Sequence, residues 1–235
     1  GRRVTAPLRH PMQKPKGIPL RSFAIFLLAA VIGVSGGLLG SVFQDGLSHL
    51  QQLLTGGDAK QSLSEAVSTH MTWWQTLLLP VAGGFVAGCI LLLLRGKKPP
   101  FGVTDIVGLV QLRKGTIRLR ESLVQTLSSA SSIGSGGSIG REGATIQIAA
   151  TVAALISRAA RLSSRHRAVL LGCGVSAGMA ASYNSPISAA IFVMEVVLGN
   201  FAMDVFAPIV LASVLATILR EVMVGNDAIY KESAK

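Results

Sequence analysis

The pattern of apolar and polar positions divides the chain into long apolar stretches separated by short basic segments. Several stretches approach or exceed the roughly 20 apolar residues that an α-helix needs to cross a bilayer. We therefore predict an all-α polytopic membrane protein. The predicted helices cover residues 22–53, 73–94, 121–134, 142–157, 168–181, 187–198 and 204–224.

Basic residues between the apolar stretches indicate which segments face the cytoplasm. They cluster at 95–120 and 158–167, and they recur in an arm at 1–18, while Trp73 and Trp74 mark the opposite interface. We therefore predict a multi-pass protein of the cell membrane with a cytoplasmic N-terminus. Its predicted regions are a basic cytoplasmic arm at 1–18, a transmembrane region at 19–224 and a polar tail at 225–235.

The segment from Ser135 to Thr145 is a glycine- and serine-rich break between two uncharged apolar flanks. Irregular backbone at membrane depth occurs where it is buried in protein or lines a wet cavity. Glu142 stands at the predicted start of the following helix, where unpaired backbone N–H groups attract negative charge. The break is therefore predicted to bind an anion beside a carboxylate. The alternative is that Glu142 only caps its helix.

A net charge of +11 would suggest a nucleic-acid partner in a soluble protein. Here half of the residues are hydrophobic, only 14% are charged, and the mean hydropathy is +0.55. The basic residues lie between apolar stretches, where they set membrane topology. We therefore expect a lipid bilayer around the protein and no nucleic-acid partner.

No group of residues predicts an enzyme or a cofactor site. Catalysis needs a nucleophile and a base within reach, whereas Glu142 has no histidine or second acid beside it in sequence. The glycine run also lacks the preceding strand and the spacing of a dinucleotide-binding loop. Cys89 and Cys173 lie inside apolar stretches without metal-ligand spacing. We expect no enzyme activity, no metal and no cofactor.

Several predicted helices are short and interrupted by glycine or proline. Residues 105–112 are too few to cross a bilayer, and Asn184-Ser185-Pro186 separates two short helices. Broken helices that meet near the membrane midplane are typical of transporters and related channels. Such folds normally contain a second, inverted half, which we expect in a longer chain or in another chain.

Two stretches resemble the CLC family of chloride channels and proton-coupled chloride transporters. The family's GREGP-type motif corresponds to Gly140-Arg141-Glu142-Gly143-Ala144. The stretch 172–195 is similar to the family's small-residue helix, Asn-x-Pro break and short acid-ended helix. The resemblance extends over nearly the whole chain. It implies the first half of the family's inverted repeat and a homodimer of full-length subunits.

The resemblance implies that Glu142 is the gate of a chloride pathway. In the family this carboxylate occupies an anion site, and protonation moves it aside. The carboxylate and chloride compete for the same N–H groups, so the side chain acts as a tethered anion. Phe101 stands where most members have a serine that binds the central chloride, and Ala144 replaces the usual proline. The implied backbone anion-binding residues are Gly102, Val103, Gly140, Arg141 and Gly143.

The position that bears on proton coupling is Val196. Proton-coupled members often carry a glutamate there, directly after the position matched by Glu195. Valine cannot bind a proton, so the prediction is passive chloride conduction, like that of a voltage-gated chloride channel. The alternative is a proton-coupled chloride antiporter that uses Glu142 alone or together with Glu195.

Overall fold

The computed structural model describes residues 20–56, 72–92, 105–106, 108, 117–199 and 202–224. Within these ranges the chain is helical and contains no β-strand, which confirms the predicted all-α class. The helices are α1 (Leu20–Thr55), α2 (Trp73–Leu92), α3 (Leu119–Gly134), α4 (Glu142–Ala159), α5 (Ser164–Tyr183), α6 (Pro186–Phe192, continued by a π-helical turn at Val193–Leu198) and α7 (Met203–Val224). The predicted arm at 1–18 and the tail at 225–235 lie outside the described residues.

Among the described residues, three helices are long and apolar enough to cross a membrane. They are Phe23–Thr55 within α1, Trp73–Leu92 and Met203–Met223 within α7. Large apolar side chains such as Leu27 and Phe85 are exposed on two of these helices, as expected of surfaces that face lipid.

The observed helix bounds follow the predicted ones, with the largest difference at α5. This helix begins at Ser164, one turn before the predicted start. Ser163 is extended and precedes a polar first turn, in which Arg165 pairs with Asp204 of α7 at 3.3 Å. A polar first turn leaves no apolar signal, so hydrophobic patterning places the start of the helix too late.

Helix α5 is the centre of the fold. Its residues from Ala168 to Ser182 are buried, except for the half-buried Met179, and α5 packs against α1, α4, α6 and α7. The approach to α4 is close because glycines face it. A methyl group added at Gly178 would lie 2.7 Å from Ile146 Cα, and one at Gly174 would lie 2.7 Å from the Ala149 carbonyl oxygen. Small residues allow this contact between membrane helices.

Helices α1 and α7 pack together through glycines as well. A methyl group at Gly33 would lie 2.5 Å from the carbonyl oxygen of Ala212, and one at Gly37 would lie 2.8 Å from that of Ala216. The two contacts advance together by four residues, so the helices run side by side in the same direction.

Helix α2 packs against α3 through a different face from the one that carries Gly84 and Gly88. The four-residue spacing of Gly84 and Gly88 is typical of a packing face, yet neither has a neighbour within 4 Å among the described residues. The packed face carries Gly83 and Ala87, whose carbonyl oxygens accept hydrogen bonds from side chains of α3. Small size permits close packing, but the position of the partner helix decides which face is used.

Candidate functional site

The break between α3 and α4 is a compact turn built on glycine. Gly136 and Gly140 have φ values of 95° and 81°, a left-handed region that side chains disfavour. The Gly136 and Gly137 N–H groups donate to the carbonyls of Ile133 and Ser132 at 3.0 and 2.8 Å, which closes the end of α3. The glycines thereby let the chain leave α3 and enter α4 within a few residues.

Glu142 is the first residue of α4, as the sequence predicts. Backbone hydrogen bonding at this end of the helix begins when the Thr145 N–H donates to the Arg141 carbonyl at 3.3 Å. The N–H groups of Glu142, Gly143 and Ala144 therefore have no partner inside the helix. They form the positive end of the helix dipole, which favours an anion.

The Glu142 carboxylate folds back over the glycine turn. A methyl group added at Gly140 would lie 2.5 Å from Glu142 Oε2, so a side chain there would push the carboxylate aside. The side chain is partly exposed, and no hydrogen bond to its carboxylate is present in the part of the chain that the structure describes. No hydrogen bond within the described residues therefore fixes the carboxylate in this position.

The neighbouring residues of the motif differ in exposure. Arg141 is exposed and precedes the helix with α-helical backbone angles, and its side chain does not cap the helix. Gly143 is partly exposed, whereas Ala144 is buried. The predicted anion-binding positions Gly102 and Val103 lie outside the described residues.

A second break separates α5 from α6, and like the break between α3 and α4 it contains a residue with a left-handed backbone. Asn184 ends α5 with a left-handed backbone (φ 54°), and Pro186 begins α6, where its missing N–H costs nothing. The Asn184 side-chain amide donates to Glu221 Oε1 of α7 at 3.3 Å. A cavity of about 350 Å³ beside the break is lined by Met179, Tyr183, Ser185, Ser188 and Ala189.

The tertiary structure brings the two breaks to the same end of the molecule. Gly40 of α1 lies between them, because a methyl group added there would meet Thr145 Cγ2 at 2.9 Å and Ala181 Cβ at 3.5 Å. Thr145 is in the first turn of α4, and Ala181 is in the last turn of α5. The start of α4 is therefore held against the end of α5.

Glu195 and Val196 lie in the π-helical turn that continues α6. Both are exposed, whereas Val193, Met194 and Val197 are buried, so Glu195 and Val196 share the face that points away from the core. A methyl group added at Gly172, in the middle of α5, would lie 3.3 Å from Val193 Cγ1. This turn is therefore displaced from the Asn184 break toward the basic turn between α4 and α5.

Arg220 is a further candidate functional residue near the two breaks, and the pattern of apolar residues does not point to it. Arg220 of α7 is only 3% exposed, and its Nε is buried without a hydrogen-bond partner among the described residues. The available signal is its charge, since an arginine inside an apolar span is a functional-site candidate.

Comparisons with known proteins agree with this architecture. Residues 83–234 match the family model described as voltage gated chloride channel. A chloride channel protein named ClcB-like from Ralstonia nicotianae is 37% identical over 209 residues, 86% of this chain and 48% of the relative. The voltage-gated ClC-type chloride channel ClcB of Escherichia coli O139:H28 is 30% identical over 213 residues, 88% of this chain and 49% of the relative.

Solved structures show the same fold. The structure of a slow cyanobacterial Cl⁻/H⁺ antiporter aligns with a TM-score of 0.68 at 19% identity, over 87% of this chain and 48% of the other. A CLC-type fluoride/proton antiporter aligns with a TM-score of 0.64 at 26% identity, over 88% and 48%. The chain spans about half the length of the relatives that it matches. It belongs to the voltage-gated chloride channel family, the CLC family of channels and transporters.

Proposed function

We propose that this chain forms half of a transmembrane chloride pathway and that Glu142 is its gate. The observation that carries the proposal is the position of the Glu142 carboxylate, folded over Gly140 beside the partnerless N–H groups at the start of α4. A chloride ion at these N–H groups would compete with the carboxylate for the same positive helix end. Protonation removes the charge that holds the side chain there, so acid opens the pathway.

The alternative is that Glu142 serves only as a helix cap. A capping side chain accepts a hydrogen bond from an N–H of the first turn. The Glu142 carboxylate accepts none from the described residues, which favours the gate over the cap.

The test is chloride efflux from liposomes that contain the full-length protein. A potassium ionophore clamps the membrane potential, and external chloride is recorded after dilution. We expect efflux well above that of empty vesicles, faster at acidic pH, and abolished when internal chloride is replaced by a large organic anion. Efflux no faster than from empty vesicles at every pH would contradict the proposed function.

Two observations keep a proton-coupled antiporter as a second candidate. The fluoride/proton antiporter is related to this chain at 26% identity, and the acid Glu195 shares its exposed face with Val196. Proton transfer through an apolar region needs titratable groups or water, since a bare charge there is costly. Val196 offers no such group, so passive conduction remains the first candidate.

A chloride gradient without a pH gradient distinguishes the two modes. In liposomes at clamped potential, passive conduction leaves the internal pH unchanged, whereas an antiporter moves protons against the flow of chloride. The matched variants are Val196→Glu, which adds a titratable group, and Val196→Ala, which does not. Chloride-driven proton movement in the unmodified protein would identify an antiporter.

We also propose a cell-membrane location with a cytoplasmic N-terminus and a homodimer of full-length subunits. Arg158, Arg161 and Arg165 are exposed where α4 ends, turns and continues as α5, whereas Trp73 and Trp74 are exposed where α2 begins. A cysteine placed at Arg161 should react with an impermeant thiol reagent only from the cytoplasmic side. Reaction from the outside would reverse the orientation.

A further inference from the structure

Arg220 is a buried cation that lacks a partner in the described part of the chain. Only 3% of the residue is exposed, and its Nε is enclosed without a hydrogen bond. An unpaired cation is strongly disfavoured in a protein interior. A guanidinium at this position therefore needs an acceptor, and its Nε and Nη donors suit an anion.

The packing of α1 and α7 places Arg220 at the junction of four helices. Gly33 contacts Ala212, and Gly37, four residues later, contacts Ala216, which is also four residues later. If both helices continue by four more residues, Arg220 lies beside Ser41. At the same level Gly40 contacts α4 and α5. Arg220 thus lies near the start of α4 and the end of α5, where both breaks meet.

The charges around Arg220 leave an excess of positive charge. Glu221 and Arg141 are the charged side chains that act on it. Glu221 is exposed, and its Oε1 accepts a hydrogen bond from the Asn184 amide at 3.3 Å. Arg220 therefore has one acidic and one basic residue in its neighbourhood, and the Glu221 carboxylate is already hydrogen-bonded to Asn184.

We propose that Arg220 and Arg141 hold a small monovalent anion, a halide, beside the helix start that Glu142 guards. The site lies at the end of the molecule opposite to the basic turn between α4 and α5. At the basic turn, Asp204 of α7 pairs with Arg165. Arg220 lies about 24 Å further along α7, at the other end of this helix. The residue is almost fully enclosed, which favours a small anion over a bulky oxyanion. The identity of the ligand as a halide rests on the proposed function.

A bromide-substituted crystal of the full-length protein tests this site directly. Bromide scatters anomalously, so its position is visible independently of any transport assay. We expect an anomalous peak within about 3.5 Å of the Arg220 guanidinium, the distance of an anion in contact with N–H donors. The peak should be lost in Arg220→Gln and kept in Arg165→Gln, which removes an exposed arginine at the opposite end.

Chloride titration supplies the second measurement. The half-saturating chloride concentration for efflux should rise on the order of tenfold in Arg220→Gln, as expected for the loss of one charge-assisted contact. If Arg220→Gln does not fold, the bromide map of the unmodified protein decides alone.

The structural alternative is that Arg220 turns to Asn184 Oδ1, a buried oxygen that also has no partner in the described residues. In that case Arg220 only braces the end of α5. A map with the guanidinium on Asn184 Oδ1 and no bromide peak would overturn the proposed site. Transport without this peak would contradict the Arg220 site alone, whereas the peak without transport would contradict the proposed function alone.

Discussion

At the scale of single residues, the proposed gate depends on one carboxylate and one glycine. Glu142 is tied to its helix start by charge, since its carboxylate has no hydrogen bond from the described residues. Gly140 provides both the left-handed turn and the space that the carboxylate occupies. Protonation would remove the interaction of the carboxylate with the helix start, which is the property that an acid-opened gate requires.

Replacing Glu142 with glutamine should open the pathway permanently. The amide is neutral like the protonated acid, so it loses a helix-dipole interaction of about 1–2 kcal/mol. Chloride efflux of the full-length protein at neutral pH should then rise roughly tenfold and lose its acid activation. The control is Glu121→Gln, which removes an acid paired with Arg118 away from the break. An unchanged pH profile in Glu142→Gln would reduce the residue to a structural role.

Gly140→Ala should disturb the same gate through the backbone. Alanine at φ 81° costs about 1–2 kcal/mol, and its Cβ would displace the Glu142 carboxylate. We expect a lower melting temperature and faster efflux at neutral pH. Gly84→Ala is the matched control, because Gly84 is helical with open space around it. Normal gating in Gly140→Ala would show that the turn does not position the carboxylate.

At the scale of helices, α5 holds the site together. Its glycine face lets α4 approach to backbone contact, and its last turn meets the first turn of α4 through Gly40. The two broken segments therefore depend on helix packing that contains no functional side chain. Interiors packed this closely have little room to absorb added volume.

Gly178→Val should destabilise the α4–α5 contact and the site together. The added side chain collides with Ile146 Cα, and overpacking of this kind costs about 1–3 kcal/mol. We expect a lower melting temperature of the full-length protein in detergent, accompanied by weaker efflux. Gly88→Ala, in open space on α2, should leave both properties unchanged. Equal melting temperatures for both variants would disprove the packing argument.

At the scale of the whole molecule, the proposal makes this chain one half of the chloride pathway. It covers about half of each relative and solved structure that it matches. The starts of α4 and α6 then require a second half to enclose them. Polar helix starts that face lipid are unfavourable by several kcal/mol for each unsatisfied group.

Residues 1–235 alone should therefore conduct no anions. Purified and reconstituted, they should give chloride efflux equal to that of empty vesicles. The full-length protein in the same lipid is the positive control. Selective efflux from the half-chain would contradict this prediction, unless cross-linking showed that two copies assemble into one pore.

The sequence by itself determined the helical class, the helix bounds to within one turn and the place of the break. These properties are local: apolar length sets a span, glycine permits the left-handed turn at Gly136 and Gly140, and Glu142 begins a helix. The resemblance of the motif to the CLC family is likewise written in consecutive residues, and the family match confirms it.

Only the tertiary structure decided which surfaces meet. Gly84 and Gly88 have the spacing of a packing face, yet Gly83 and Ala87 are the residues that pack. The buried state of Arg220 and its position near Arg141 likewise depend on four helices that converge from distant parts of the sequence. Helix periodicity fixes the spacing of a stripe but not the direction in which a partner lies, so these contacts follow from packing alone.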